Sequence, residues 1–337
     1  MKGDSIVLHV LGRPVHGGME RIVTAYRSLG IFTSLNLRVY LISVSFSKVR
    51  ELYGTNIDFA LGWRFILWSI LNRKSLEIIH VHTFGALLIF MPFCVLAEKK
   101  LVYHIHSWQQ TRGLSLLFLK CVKGQKLTVI SVNSEISEVL NKTTGISICT
   151  LYNFIGGLRG SRSVAFRGLE DQAVSLGYVG RFAKEKGVLN IVDQIKLLER
   201  KGVKIEKLYL YGAGALASRV IEILERNCKG YEVVYRKDVY NQESIYVFDI
   251  LLLPSPEESF SLVMHEALTR GIRVLAASDS LIKNVPNFFQ SAKCISNVGD
   301  FDMRAISVDL GLGYTERFDF EFHIRALEKI YGLILSK

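Results

Sequence analysis

The sequence predicts an α/β chain made of two doubly wound, parallel-sheet domains in tandem. Three observations predict it. The length of 337 residues is too great for one ordinary domain and suits two. Short, near-continuous apolar runs alternate with helix-length segments, the pattern of parallel strands covered on both faces. That rhythm breaks once, at a stretch rich in Gly, Ser and charge, and then restarts.

In the first half, the apolar run Ile6–Leu11 leads into the turn-rich Gly12–Gly18 and the helical pattern Glu20–Leu29. Further strands are expected at Leu37–Val44, Ile78–His82, Leu101–His106, Leu127–Val132 and Ile146–Tyr152. The break is Ile155–Gln172 (IGGLRGSRSVAFRGLEDQ), which places one domain at residues 1–154, a linker at 155–172 and a second domain at 173–319. In that second domain, strands are expected near Ser175–Val179, Lys207–Tyr211, Glu232–Tyr235, Asp249–Leu253 and Val274–Ala277. Phe320–Leu335 is helical in period, and residues 320–337 are expected to pack back on the first domain. Two such units place a central cleft between rows of strand C-terminal ends, where sheets of this kind bind ligands.

Composition narrows the class. With 49% hydrophobic and 22% charged residues, large cores can be buried and wholesale disorder is excluded. The five cysteines (Cys94, Cys121, Cys149, Cys228, Cys294) are scattered and form no C-x-x-C pair, against a disulfide framework or a zinc site. No secretory signal is visible after Met1, and the longest uncharged apolar run, Phe84–Ala97, is too short to span a bilayer and reads as a buried helix. A cytoplasmic location is expected.

Charge is unevenly spread. Residues 1–150 carry 17 Lys and Arg against 8 Asp and Glu, a net of +9, whereas the remainder is +2. All three tryptophans (Trp63, Trp68, Trp108) lie in the basic half. Within it, residues 107–126 (SWQQTRGLSLLFLKCVKGQK) mix cations with leucines. That stretch fits a helix on an anionic membrane surface and equally an ordinary amphipathic helix covering the sheet. No nucleic-acid partner is expected, because aromatics are not interleaved with basic residues on a known binding module.

The sharpest chemical signal is PSPEESFSLVMHEAL, residues 254–268, after an apolar strand and opening a helix. If the helix starts near Phe260, the N–H groups of Phe260, Ser261 and Leu262 are free to bind an anion. Glu266 then lies about 9 Å further along the axis, within reach of a ribose diol. Alternatively, Glu258 is a first-turn partner of the helix dipole and Glu266 a solvated helix residue. In YVGRFAKEKG, residues 178–187, Arg181 and Lys186 flank the first strand–helix loop of the second domain, and such cations could neutralise a departing diphosphate.

PSPEESFSLVMHEAL resembles the paired-glutamate signature of glycosyltransferase family 4, a retaining family of GT-B fold, in which two Rossmann-like domains face a central cleft. HGGMERIV, IIHVHTFGALL, LVYHIHSW, VGRFAKEKG and LYNFIG match further family segments in order, so the similarity spans nearly the whole chain. The resemblance implies that Arg181 and Lys186 hold the donor diphosphate. It implies that Glu258 sits beside the donor sugar with Ser259, Phe260, Ser261 and Leu262, and that Glu266 binds the ribose. Gly17 and Gly18 would let a loop approach the donor, and His106 would reach the transferred sugar. His80, His82 and His104 read as packed or supporting residues, and His16 is undecided. The family's Glu-Gly-Phe-Gly run has Ser259 and Ser261 as its small residues here. A later Gly-Gly segment is missing from AASDSLIKNVPNFF.

Two further motifs read differently. YGAGALA, residues 211–217, satisfies G-x-G-x-x-[GA], yet Glu232 starts its strand rather than ending it. Gly212 and Gly214 therefore read as a tight turn near the donor site, not as a dinucleotide site. Asp300-Phe301-Asp302 reads as a solvated loop rather than a metal-binding pair. No cofactor and no metal is expected. The implied reaction is retaining transfer of a hexose or N-acetylhexosamine from a nucleotide diphosphate sugar, UDP-linked. Its acceptor would be a glycan, lipid-linked, in O-antigen or capsule biosynthesis at the inner face of the membrane. A nucleotide-sugar epimerase and a non-catalytic sugar-nucleotide-binding subunit are the alternatives.

Overall fold

Strands buried on both faces need continuous apolar runs, and the first strand, β1 (Ser5–Leu11), has six of its seven residues buried. The computed structural model describes residues 5–12, 18–43, 58–60, 63–122, 127–155, 173–227, 230–237, 245–277, 293–298, 301–306 and 318–336. Along the chain follow α1 (Gly18–Leu29), β2 (Ile31–Phe32), β3 (Leu37–Ser43), β4 (Phe59–Ala60), α2 (Trp63–Leu71) and β5 (Leu76–Val81). Next come α3 (Phe84–Leu96), β6 (Lys100–Ile105), α4 (Gly113–Cys121), β7 (Leu127–Ser131), α5 (Ser134–Thr144) and β8 (Ile148–Thr150). The second rhythm comprises β9 (Val174–Val179), α6 (Ile191–Arg200), β10 (Ile205–Tyr211), α7 (Ala217–Asn227), β11 (Glu232–Arg236) and β12 (Ile250–Leu253). It continues with α8 (Leu262–Leu268), β13 (Arg273–Ala276), β14 (Lys293–Val298) and β15 (Phe301–Ile306), before the last helix, α9 (Phe320–Leu335).

The chain forms two compact units, Met1–Phe154 with Phe320–Lys337, and Ile155–Asp319. Each holds one twisted sheet, ordered β2-β3-β1-β5-β6-β7-β8 with β4 beside β3 in the first, and β11-β10-β9-β12-β13-β15-β14 in the second. The central strands pair in parallel. The edges do not: β2 runs antiparallel to β3, and β15 runs antiparallel to both β13 and β14. The Asp300-Phe301-Asp302 reading is corrected by this. Phe301 opens a strand and Asp302 stands opposite Asn297 in its ladder, while Asp300 lies outside the described residues.

In the first unit, the period-2 alternation of side chains splits the sheet into two chemically different faces. Leu8, Val10, Ile79, Val81, Leu101, Tyr103 and Val129 point to one face and form a core with α2 through α5. Each fully buried Leu or Ile there contributes about 2 kcal/mol. His9, His80 and His104 point to the other face, which is covered by Tyr26 of α1 and Tyr331 of α9, all five fully buried.

Helix α3 departs from expectation. Thr83 caps it by accepting a bond from the Ala86 N–H. It was expected to be buried because it is apolar all round. Only Ala86, Leu87, Phe90 and Cys94 are buried, whereas Leu88, Ile89, Val95 and Leu96 are exposed. The physical reason is layering: the sheet lies on one side of the helix, and among the described residues nothing covers the other. A groove of about 550 Å³ lies there, lined by Leu88, Met91, Pro92, Val95, Leu96 and Phe118.

Candidate active site

The second sheet has its switch point between β9 and β12. From β9 the chain moves to β10 and β11 on one side, then to β12 and β13 on the other. The loops leaving the C-terminal ends of β9 and β12 are therefore neighbours, the place where such sheets bind ligands. Gly187 locks them together. Its φ is +61°, and a Cβ built on it would stand 2.1 Å from the Pro254 carbonyl oxygen, so only glycine fits. Buried Gln194 of α6 donates to the carbonyls of Leu253 (3.3 Å) and Leu275 (3.0 Å), tying the helix to the ends of β12 and β13.

This closure brings Lys186 and Glu258 together across 72 residues of sequence, Nζ to Oε1 at 2.5 Å. Arg181 lies on the same loop but is exposed and pairs with Glu185 at 2.6 Å. Both cations thus have acidic partners. Gly212 and Gly214 lie on the adjoining loop after β10, which packs on the β9 loop through the Phe182 N–H to Ala213 (2.9 Å) and the Leu216 N–H to Phe182 (3.0 Å). A Cβ on Gly214 would stand 2.3 Å from the Phe182 oxygen, so this glycine permits close loop packing.

The helix after β12 starts later than expected, at Leu262 rather than near Phe260, and runs for seven residues. Phe260 lies outside it and is buried, its ring stacked on His265 at 4.3 Å and edge-on to Phe318 at 5.6 Å. The first helical bond is His265 N–H to Ser261 carbonyl, which leaves the N–H groups of Leu262, Val263 and Met264 at the helix start. Ser259 is buried beside Glu258. Ser261 takes φ +55°, the left-handed conformation that glycine adopts without strain, where the family run has its second glycine.

Glu266 is buried, 5% exposed, which corrects the alternative of a solvated helix residue. Its carboxylate accepts the Tyr246 hydroxyl, and Arg270 stacks on the Tyr246 ring at 4.6 Å while donating to the Glu266 carbonyl. Sequence reasoning missed Tyr246 and Arg270; no motif marks Tyr246, because only the fold brings its loop to α8. It also missed His265, whose imidazole burial pushes down to about 3.

In the first unit, Gly18 opens α1, and Gly17 and His16 lie outside the described residues. His106 follows β6. Gln110 clamps this turn: its Oε1 accepts the His106 N–H (2.7 Å) and the Ser107 N–H (3.0 Å), and its Nε2 donates to the His82 carbonyl (3.0 Å). His80, His82 and His104 are fully buried, in keeping with a packed role. Two triads, His9-His80-His82 and His82-His104-His106, have ring nitrogens within 4.8 Å of one another, close enough to hold a metal ion. The spacing of His80 with His82, and of His104 with His106, is the two-residue signal that put them on one face.

The family model of glycosyl transferases group 1 (Glyco_trans_1_4) matches residues 173–290, which contain Arg181, Lys186, Gly212, Gly214, Glu258 and Glu266. An uncharacterized 41.2 kDa protein in the cps region of Klebsiella pneumoniae is 24% identical over 273 residues, covering 72% of this chain and 74% of its own. Among solved structures, a glycosyltransferase from Rickettsia africae ESF-5 superposes with a TM-score of 0.71 at 14% identity, over 99% of this chain and 100% of that one. Anabaena HepE, crystallised with UDP and glucose, gives 0.59 at 17% identity over 82% of each chain. The two Rossmann-like units share the GT-B fold with these solved structures, and the second unit matches the family model of group 1 glycosyl transferases.

Proposed function

We propose that this chain moves a hexose or N-acetylhexosamine from a UDP-linked donor to a glycan acceptor, with retention of anomeric configuration and without a metal ion. The observation that carries this reading is the convergence of Lys186 and Glu258 at the β9/β12 switch point, with buried Glu266 on the helix that follows. Lys186, Arg181 and the N–H groups at the start of α8 hold the diphosphate, and Glu266, oriented by Tyr246, takes the ribose. Glu258, Ser259, Phe260, Ser261 and Leu262 line the donor, and Gly212 and Gly214 shape the floor beside it. Gly17 and Gly18 serve the donor phosphates and the acceptor, and His106 serves the transferred sugar.

In the reaction, the bond from the anomeric carbon to the phosphate oxygen breaks and the acceptor oxygen bonds to the same face. The acceptor proton passes to the leaving phosphate, whose charge Lys186 and Arg181 offset. The Anabaena HepE crystals, which hold UDP and glucose, and the cps-region relative support a UDP sugar and a surface polysaccharide.

The acceptor is lipid-linked, and the first unit docks on an anionic bilayer. Exposed Ile66, Leu67, Ile70 and Leu71 of α2, the outer face of α3, and Leu114 and Leu117 of α4 give three helices an apolar surface, with Leu71, Leu96 and Leu114 at 74%, 86% and 75% exposure. The same helices carry or adjoin exposed Arg73, Lys74, Arg112 and Lys120. Among the described residues no helix is long and apolar enough to cross a membrane.

A panel of nucleotide sugars, screened for protection against thermal unfolding and then for transfer, tests the reading. One donor is expected to protect, and proton NMR of the product is expected to show the donor's anomeric configuration. Inversion, transfer strictly dependent on manganese, or isomerised free sugar without an acceptor would each overturn it.

A further inference from the structure

Neutral imidazole is the commonest nitrogen ligand of transition metals, and the first sheet gathers three such rings where two of its strands end. His82 follows β5 and His106 follows β6, adjacent parallel strands in register from Ile78↔Lys100 to Val81↔Tyr103. His104 stands two residues before His106, and their ring centroids are 4.2 Å apart. His82 Nδ1 and His106 Nε2 are 2.9 Å apart, and one ring nitrogen from each of His82, His104 and His106 falls within 4.8 Å of the others. His104 is the member that hydrogen bonding does not explain. It is 0% exposed, and among the described residues neither of its ring nitrogens has a hydrogen-bond partner. A buried nitrogen left in that state costs about 1–3 kcal/mol, which a bound ion would remove.

We infer that His82, His104 and His106 together bind one divalent transition-metal ion, with zinc the best fit. The donors select the metal: imidazoles suit zinc, nickel or cobalt, whereas magnesium and calcium require oxygen ligands. Burial keeps the three rings uncharged, so each presents a lone pair, with His106 held down at about 3 and His82 and His104 well below their ordinary value. In a tetrahedral centre with bonds of about 2.0–2.1 Å, the ligating nitrogens stand about 3.3 Å apart. The pair at 2.9 Å has to open only slightly, and His104 has to close in by at most about 1.5 Å. Water completes the four ligands, as in other centres with three protein donors. An outer partner is also in place: with Nδ1 on the metal, His82 donates its Nε2–H to His9 Nδ1 at 3.0 Å. His106 is partly exposed, so the ion lies one side chain beneath the surface, whereas the members of the other triad, His9, His80 and His82, are all 0% exposed. The ion is not the counter-charge of the diphosphate, a role that the transfer reading gives to Lys186 and Arg181. By holding His106 it is instead expected to inhibit transfer. That consequence rests on the transfer reading above; the site does not.

The test is isothermal titration of zinc sulfate into the tag-free chain, stripped with a chelator and with its cysteines blocked by iodoacetamide, because Cys121 and Cys149 are exposed and thiolates bind zinc themselves. One ion per chain is expected. Long-range 15N–1H correlation on the same chain labelled at histidine is expected to show three rings, and no more, converted to metal-bound imidazole. His104→Leu, which leaves the residues of the transfer reading in place, and His106→Ala are each expected to abolish uptake, with far-UV circular dichroism confirming the fold. No uptake by the wild-type chain, a wild-type spectrum in which zinc binds fewer than three rings, or uptake that the folded variants retain would overturn the inference. The wild-type titration and spectrum decide the matter even if a variant fails to fold. Zinc is expected to lower sugar transfer, and the chelator to restore it. Uptake at three histidines with transfer unchanged would leave the site standing and remove His106 from the transfer reading. The same uptake in a chain that transfers no sugar would leave the site standing and remove that reading altogether.

Discussion

Replacing Lys186 tests the candidate site through two opposing variants. Its Nζ lies 2.5 Å from Glu258 Oε1, with side chains 34% and 12% exposed. A charge-assisted hydrogen bond contributes about 1.5–3 kcal/mol, and partial solvation of the lysine places this one near the lower end. Lys186→Ala is therefore expected to destabilise the second unit by about 1–2 kcal/mol. It also removes one contact to the diphosphate, weakening UDP about tenfold. Glu258→Gln keeps the shape and a hydrogen bond to Lys186 but deletes a negative charge beside the incoming anion. UDP is then expected to bind as tightly as to wild type or up to about fivefold tighter, while sugar transfer falls. Isothermal titration with UDP at one fixed salt concentration reads both. Equal affinity of wild type and Lys186→Ala would refute the reasoning, as would Glu258→Gln weakening UDP as much as Lys186→Ala does.

Other consequences follow from geometry alone. Ser261→Gly relieves a serine held at φ +55° and is expected to stabilise the second unit by about 0.5–1 kcal/mol, seen as a raised unfolding midpoint in urea. Leu114→Glu with Leu117→Glu changes two exposed side chains, and is expected to leave stability within about 0.5 kcal/mol while abolishing co-sedimentation with anionic vesicles. Acid should unfold the first unit. His9 and His106 sit near 3 when folded and near 6.5 when unfolded, so the unfolded chain binds more protons between those values. Stability is thus full above about pH 6.5 and lost as pH falls toward about 3, by about 2 kcal/mol per histidine at about pH 5. Far-UV circular dichroism and the emission of the tryptophans, all in that unit, report the transition.

Most of the fold was legible because apolar periodicity is a local property. The strands at Ser5–Leu11, Val174–Val179 and Ile250–Leu253 each coincide closely with a near-continuous apolar run. The antiparallel edge formed by Lys293–Val298 and Phe301–Ile306 was not legible, because an edge strand needs no continuous hydrophobicity and its pairing is long-range. The exposure of α3 was hidden for a related reason: an apolar helix looks the same in sequence whether or not a second layer covers it.

At the site, Arg181, Lys186, Glu258 and Glu266 could be read from short motifs. The meeting of Lys186 with Glu258 depends on Gly187 packing under Pro254, which no linear pattern states. Tyr246 beside Glu266, and Tyr331 between His9 and His80, come from segments distant in sequence and carry no local signature.

A crystal structure of the chain with UDP bears most directly on the central claim. The diphosphate is expected within hydrogen-bond distance of Lys186 and of the first N–H groups of the Leu262–Leu268 helix, with the ribose on Glu266. Nucleotide bound elsewhere, with the loops after Val179 and Leu253 unoccupied, would contradict it.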